Sequence, residues 1–253
     1  MKLECRDKAC LASTGKLDIS AGDTFEILSL YTQDLSDVPG NDDWLSAEER
    51  KVLDGLRFTK RRNDWRLGRW TVKQAILAFL RIETDADLSL FEIRAASDGA
   101  PEVFMQNKPA GVAISISHAG GRGFCVAGPP GMTTGCDVEQ LEPRGELLAT
   151  DFFTPEEIEL VSASAPENKY LVTNLIWSAK ESVLKTLREG LRRDTRDISI
   201  QLDLTLIFNH DELSGADKHE NGWSHWTGLC RQTSREFHGR WCADSLFVYT
   251  VCI

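Results

Sequence analysis

Acidic residues at two places in the chain have the types and spacing to do chemistry. In Thr134-Gly135-Cys136-Asp137-Val138-Glu139, polar and apolar positions alternate, the pattern of a strand. Residues two apart on a strand point the same way, so Asp137 and Glu139 present two carboxylates side by side. Charges that close repel. Exposure to solvent would relieve them, and so would a divalent cation. A donor set made only of oxygen suits Mg²⁺ or Mn²⁺, and Mg²⁺ usually takes few protein ligands plus substrate phosphates. The second place is Trp177-Ser178-Ala179-Lys180-Glu181-Ser182-Val183-Leu184-Lys185, where Glu181 and Lys185 are four apart and share a helical face. Taken alone, that pair reads as a surface ion pair worth a few tenths of a kcal/mol.

The elements that must position these groups follow from periodicity. Leu171, Leu175, Ile176, Val183, Leu184 and Leu187 recur at helical spacing, which predicts one helix over 169–189 with Gly190 as its stop. An echo of it lies upstream: Trp70-Thr71-Val72-Lys73-Gln74-Ala75-Ile76-Leu77-Ala78-Phe79-Leu80 repeats residues 177–187, with Gln74 standing where Glu181 stands. Each copy is preceded by a capping box, Ser46 with Glu49 and Thr154 with Glu157, a hydroxyl at the cap and an acid three later. The capping box accounts for Glu157 as a structural acid. The chain therefore reads as two related halves, 1–131 and 132–253, joined near Pro129-Pro130-Gly131, with a carboxylate at this helical position in the second half only.

Arg50, Lys51, Arg57, Lys60, Arg61, Arg62, Arg66, Arg69 and Lys73 crowd one segment of a chain whose formal net charge is −10. They read either as a solvated helix face or as a site for phosphate oxygens, to which Arg forks and Lys point charges are suited. Val112 to Ser117 alternates as a strand ending at His118, ahead of Ala119-Gly120-Gly121 and a return strand at 123–127. Further strands are expected at 25–31, 88–93, 198–202 and 246–251, and a helix from 154 to about 161. Residues 1–23 read as a loose lead-in. His210 to Trp223 reads as a polar loop whose His210 and His219 lack metal-ligand spacing.

Composition sets bounds. With 253 residues the chain can form one large or two small domains, and 42% apolar residues suit a packed core. The acidic balance argues against a general nucleic-acid binder. Seven scattered cysteines without a CxxC pair point to free thiols in a reducing compartment. The start has no apolar run of a signal peptide, and no stretch approaches the roughly 20 apolar residues of a membrane span. A soluble, cytoplasmic protein is expected.

Together these segments resemble the 4′-phosphopantetheinyl transferases of the surfactin-synthetase type. Gly135-Cys136-Asp137-Val138-Glu139 is similar to the family's G-x-D-x-E motif, Phe152 to Glu157 to its F-[FS]-x-x-x-E companion, Trp177 to Lys185 to W-x-x-K-E-S-x-x-K, and Ser115-Ile116-Ser117-His118 to S-x-S-H. The resemblance covers about residues 45–205. It implies an α+β pseudo-dimer of two similar halves, each a small mainly antiparallel sheet packed on helices, acting as a monomer. It implies transfer of the phosphopantetheine arm of coenzyme A to a serine of an acyl, peptidyl or aryl carrier protein, releasing 3′,5′-ADP. It places Mg²⁺, or Mn²⁺, on Asp137, Glu139 and Glu181. Lys180 and Lys185 would lie beside the pyrophosphate, with Glu181 or a metal-bound water as base. Ser117 and His118 would lie at a phosphate, and Lys51, Arg57, Arg62, Arg69 and Lys73 are the candidates for the 3′-phosphate. Ala100 stands where many members carry a lysine. A Mg²⁺-dependent phosphohydrolase, or a relative that binds carrier or nucleotide without transfer, is the alternative.

Overall fold

The computed structural model describes residues 14–21, 24–83, 85–202 and 222–253. It separates into two compact units, Leu11–Cys136 and one built on Asp137–Ile253. Both are mixed α/β with antiparallel sheets. No helix among the described residues is long and apolar enough to cross a membrane.

In the first unit, strands β1 (Thr14–Ala21), β2 (Thr24–Asp34), β6 (Ala113–Ala119) and β7 (Arg122–Gly128) form one sheet in the order β1-β2-β7-β6, antiparallel throughout. Helices α1 (Ala47–Gly55) and α2 (Thr59–Leu80) belong to this unit. So does a small sheet of β3 (Phe91–Ala95), β4 (Pro101–Met105) and β5 (Lys108–Pro109). Val72, Ala75 and Ile76 of α2 are buried with Cys125 and Ala127 of β7, and with Ile93 and Val103 of the small sheet. Helix and sheet meet closely at Gly123, where a Cβ would stand 2.2 Å from Thr71 Oγ1. That gap is one only glycine allows.

The second unit has five strands in the order β8-β12-β11-β10-β9: β8 (Gly135–Gln140), β9 (Ile198–Leu202), β10 (Ser224–Cys230), β11 (Arg235–Ala243) and β12 (Phe247–Cys252). Helices α3 (Glu146–Phe152), α4 (Pro155–Ala163) and α5 (Lys169–Thr186) complete it. Leu175, Ala179, Val183 and Leu184 of α5 pack on Ile198, Ile200, Trp226, Phe237, Trp241 and Val248 of the sheet. Its opposite face, Val172 and Ile176, packs on Phe153. A helix buried on two sides is held firmly, and α5 carries Glu181.

Three expectations shift. Residues 14–21, read as loose lead-in, form β1, because Lys16-Leu17-Asp18-Ile19-Ser20 alternates and finds a partner in β2. Leu88–Leu90 is a single 3-10 turn, capped by the Asp87 carboxylate on Ser89 N–H at 3.0 Å, and the strand begins at Phe91. Helix α5 stops at Thr186, ahead of Gly190, because Arg188 takes a left-handed backbone at φ 58°. The Arg188 N–H then bonds Lys185 O at 3.0 Å and the Glu189 N–H bonds Leu184 O at 3.1 Å. Helix α2 closes the same way, with Arg81 at φ 54°, the Arg81 N–H on Ala78 O and the Ile82 N–H on Leu77 O. His210 and His219 lie outside the described residues.

Candidate active site

Strand β8 and helix α5 bring Asp137, Glu139, Glu181 and Lys185 together within the second unit. Asp137 is buried, and its Oδ1 accepts from Lys185 Nζ at 2.8 Å. Burial pushes the Glu181 carboxyl above its usual range; the nearby Lys185 ammonium pulls it down and the Asp137 charge pushes it up. The Glu139 carboxyl is raised to about 7, first by burial and then by Asp137, against the pull of Arg144 and Trp177. The Asp137 charge is thus felt by both glutamates.

Their second neighbours fix where they stand. Trp177 Nε1 donates to Glu139 Oε1 at 2.8 Å, and Arg144 Nη2 donates to Glu139 Oε2. Arg144 is held in turn by Asn174 Oδ1 at 2.6 Å, and Asn174 Nδ2 donates to the carbonyls of Glu142 and Tyr170 at 3.0 and 2.7 Å. Phe152 packs edge-on against the Trp177 ring, centroids 5.1 Å apart. Sequence reasoning did not assign roles to Arg144, Asn174 or Trp177. A signal existed for the last: Trp177 and Glu181 are four apart, hence on one face of α5.

The first unit repeats this arrangement without charge. Trp70 Nε1 donates to Gln33 Oε1 at 3.1 Å, as Trp177 does to Glu139, and Trp44 packs edge-on against Trp70 at 5.2 Å. Gln33 and Gln74 thus stand in the places of Glu139 and Glu181, amides where the second unit has acids.

The three acids do not form a ready-made cage. Among the described residues, no three His, Cys, Asp or Glu side chains are grouped to hold a metal ion. The physical reason is visible: Asp137 and Glu139 each spend an oxygen on a cation of the chain, Lys185 and Arg144. The donor chemistry still fits a hard divalent cation, being all oxygen, with mutual repulsion that a double positive charge would relieve.

Two motif lysines are turned into the fold, each paired with a buried carboxylate. Lys180 is fully buried; its Nζ pairs with Glu157 Oε2 at 2.9 Å and donates to the carbonyls of Thr195, at 2.9 Å, and Ile198. Lys73 is fully buried too, with Nζ on Glu49 Oε2 at 2.6 Å, Trp44 O at 2.9 Å and Leu88 O at 3.0 Å. An ammonium has three N–H donors, and both lysines have used all three. This geometry corrects the expectation that Lys73 and Lys180 face phosphate oxygens.

Much of the basic stretch also turns inward. Arg62 Nη1 donates to the carbonyls of Leu53 and Leu56, and Arg66 binds Asp42 and the carbonyls of Pro39 and Asn41. Arg69 lies 3.6 Å from Glu49 and stacks on Trp65 at 4.7 Å. Its Nε is buried without a hydrogen-bond partner among the described residues. Lys51 and Arg57 are exposed, Lys51 paired at 2.7 Å with Glu48. On β6, Ser117 is half-buried and His118 exposed, with His118 Cδ2 beside Gly68 of α2: a Cβ there would lie 4.0 Å away.

Residues 133–236 match the 4′-phosphopantetheinyl transferase superfamily. The chain is 26% identical over 163 residues to the 4′-phosphopantetheinyl transferase HetI of Nostoc sp., covering 64% of this chain and 66% of that one. It is 24% identical over 156 residues to a putative 4′-phosphopantetheinyl transferase of Synechocystis sp., covering 61% of each. The matches thus span just under two thirds of these relatives' own lengths. Among solved structures, a holo-(acyl-carrier-protein) synthase from Bacillus anthracis in complex with CoA (3′,5′-ADP) is similar at 20% identity and a TM-score of 0.35. That match covers 41% of this chain and 95% of the synthase. The phosphopantetheinyl transferase resemblance expected from the motifs is supported by the family match, which takes in Asp137, Glu139, Glu181 and Lys185.

One pH dependence follows from Glu139. A carboxyl raised to about 7 holds a proton in the folded chain that the unfolded chain gives up near the usual 4.5. The folded state binds more protons between those values, so its stability falls as pH rises through that window. Urea unfolding of wild-type and Glu139→Gln chains without divalent ions checks this. The substitution is expected to flatten the slope, and an unchanged slope would show that another group carries it.

Proposed function

We propose that this protein transfers the 4′-phosphopantetheine arm of coenzyme A to a serine of an acyl, peptidyl or aryl carrier protein, giving the holo-carrier and 3′,5′-ADP. The observation that carries the reading is the acid cluster of Asp137, Glu139 and Glu181, with Lys185 at its edge, inside the matched segment. Asp137, Glu139 and Glu181 would hold Mg²⁺, or Mn²⁺, which when bound supplies positive charge against the pyrophosphate and the developing leaving group.

The chain's own residues do the rest. Glu181, whose proton affinity is raised by burial and by Asp137, accepts the serine hydroxyl proton. Lys185 holds Asp137 in place and carries a positive charge at the edge of the cluster, where a phosphate oxygen can reach it. Trp177 and Arg144 orient Glu139 through its two oxygens. In the first half, assigned as 1–131, the exposed Lys51 and Arg57, the partly satisfied Arg62 and Arg69, and Ser117 with His118 are the groups for the phosphates of coenzyme A. The second half, 132–253, supplies the acids. A chain carrying both halves acts as a monomer in this reading.

The test is mass spectrometry of apo-carrier proteins of the fatty-acid, polyketide and nonribosomal-peptide classes after incubation with coenzyme A, Mg²⁺ and this protein. The expected result is one phosphopantetheine added per carrier and 3′,5′-ADP released in equal amount. Release of nucleotide with no carrier present would identify a phosphohydrolase instead. Lys51→Ala and Arg57→Ala are expected to raise KM for coenzyme A by about tenfold each, the loss of one charge-assisted contact, with kcat little changed. Unchanged KM in both would remove this exposed pair from the binding surface.

A further inference from the structure

The same buried network is built twice. In the second unit, Glu157 closes the capping box of α4, with Thr154 N–H on its Oε2 at 2.8 Å and its own N–H on Thr154 Oγ1 at 3.3 Å. Its Oε1 accepts from Ile200 N–H of β9 at 2.7 Å, and its Oε2 also pairs with Lys180. In the first unit, Glu49 closes the capping box of α1 on Ser46, at 3.0 and 3.1 Å. Its Oε1 accepts from Ile93 N–H of β3 at 3.1 Å, and its Oε2 pairs with Lys73. Each lysine then takes two backbone carbonyls: Thr195 and Ile198 in one unit, Trp44 and Leu88 in the other. Each also lies near an aromatic ring, Phe153 at 5.9 Å and Trp44 at 5.7 Å.

A buried ion pair is a poor way to gain stability. Two well-packed apolar side chains often do as well, because removing both charges from water costs about what their attraction returns. What such a pair provides is a fixed geometry. Lys180 ties α5 to the first turn of α4 and to the segment entering β9, and Glu181 is the next residue along. Successive helical residues differ by about 100°, so a helix pinned at Lys180 can neither rotate nor slide without moving Glu181. A reacting group must be held to within about 0.5 Å and 10–20°.

We infer that Glu157 and Lys180 are a positioning pair that sets where Glu181 stands, while their duplicate, Glu49 and Lys73, holds a helix whose next residue, Gln74, has no charge to place. The inference rests on the transferase reading, and on the cluster of Glu181 with Asp137 and Lys185. It separates the motif's lysine, which acts through the scaffold, from the motif's glutamate, which acts on the substrate.

The duplication supplies its own control. The double variant Glu157→Gln/Lys180→Met removes both charges at once in the second unit, and Glu49→Gln/Lys73→Met does the same in the first. Three quantities are compared: the thermal midpoint, its rise on adding Mg²⁺ alone, and kcat against KM for coenzyme A. The two doubles are expected to shift the midpoint alike. Only the first is expected to lose kcat, by about 10- to 100-fold, the loss a displacement near 1 Å causes, and only the first should lose the rise with Mg²⁺. Its KM for coenzyme A should stay within about threefold. Should that double not fold, Glu157→Gln alone keeps an oxygen for Ile200 N–H and is expected to show the same loss of kcat in smaller measure. Equal loss of kcat in both doubles would reduce the pair to a folding device and overturn the inference. So would wild-type kcat in the first double, or in Glu157→Gln where that variant is used. A wild-type chain that transfers nothing to any carrier would overturn the functional reading and the inference with it.

Discussion

Replacing Glu181 with glutamine is expected to lower phosphopantetheine transfer by about 10³-fold while leaving the fold intact, in the range that loss of a positioned general base produces. Two observations set the direction. Glu181 is partly buried on a helix packed on both sides, and neither core cluster includes its side chain. Burial and Asp137 disfavour its charge, against the pull of Lys185, so the fold is expected to tolerate a neutral side chain there. Glutamine keeps the size and loses both the proton acceptor and an anionic oxygen for the metal. Transfer is read by mass spectrometry of the carrier and folding by urea unfolding. A Glu181→Gln chain that transfers within about threefold of wild type would take Glu181 out of the chemistry.

Lys73→Ala is expected to destabilise the first unit by about 3–5 kcal/mol, as removal of one partner from a buried pair does. Such a loss is comparable to much of a domain's total stability. The cause is local. Glu49 would be left buried with its capping-box and Ile93 bonds but without the cation beside its Oε2, and Trp44 O and Leu88 O would lose a shared donor. Burial already pushes the Lys73 ammonium below its usual range, held back chiefly by Glu49, so the two charges depend on each other. A basic residue on a ligand surface would behave oppositely, with weaker coenzyme A binding and stability unchanged. Urea unfolding and equilibrium binding of coenzyme A separate the cases. A Lys73→Ala chain as stable as wild type, with weakened binding, would return Lys73 to the phosphate site.

Much of the arrangement was legible in the residues. Alternation placed Asp137 and Glu139 on one strand, and helical spacing placed Glu181 and Lys185 on one face, because both patterns are set by backbone geometry that every residue shares. The echo of 70–80 in 177–187 announced a duplicated build. The capping boxes at Ser46 and Thr154 were readable for the same local reason, and both are formed. Which charge meets which was a different matter. The stretch 50–73 looked like one basic surface, yet Arg62, Arg66 and Lys73 are spent on carbonyls and acids 6 to 29 residues away, and Lys180 on carbonyls 15 and 18 residues downstream.

Local sequence thus determined the elements, their faces and the candidate acids, since strand and helix periodicity and cap chemistry act within a few residues. Tertiary structure alone decided that Lys73 and Lys180 are internal, that Arg144 and Trp177 hold Glu139, and that Lys185 sits on Asp137. A side chain's charge declares what it can bind, but burial and the carbonyls that folding brings within reach decide what it does bind.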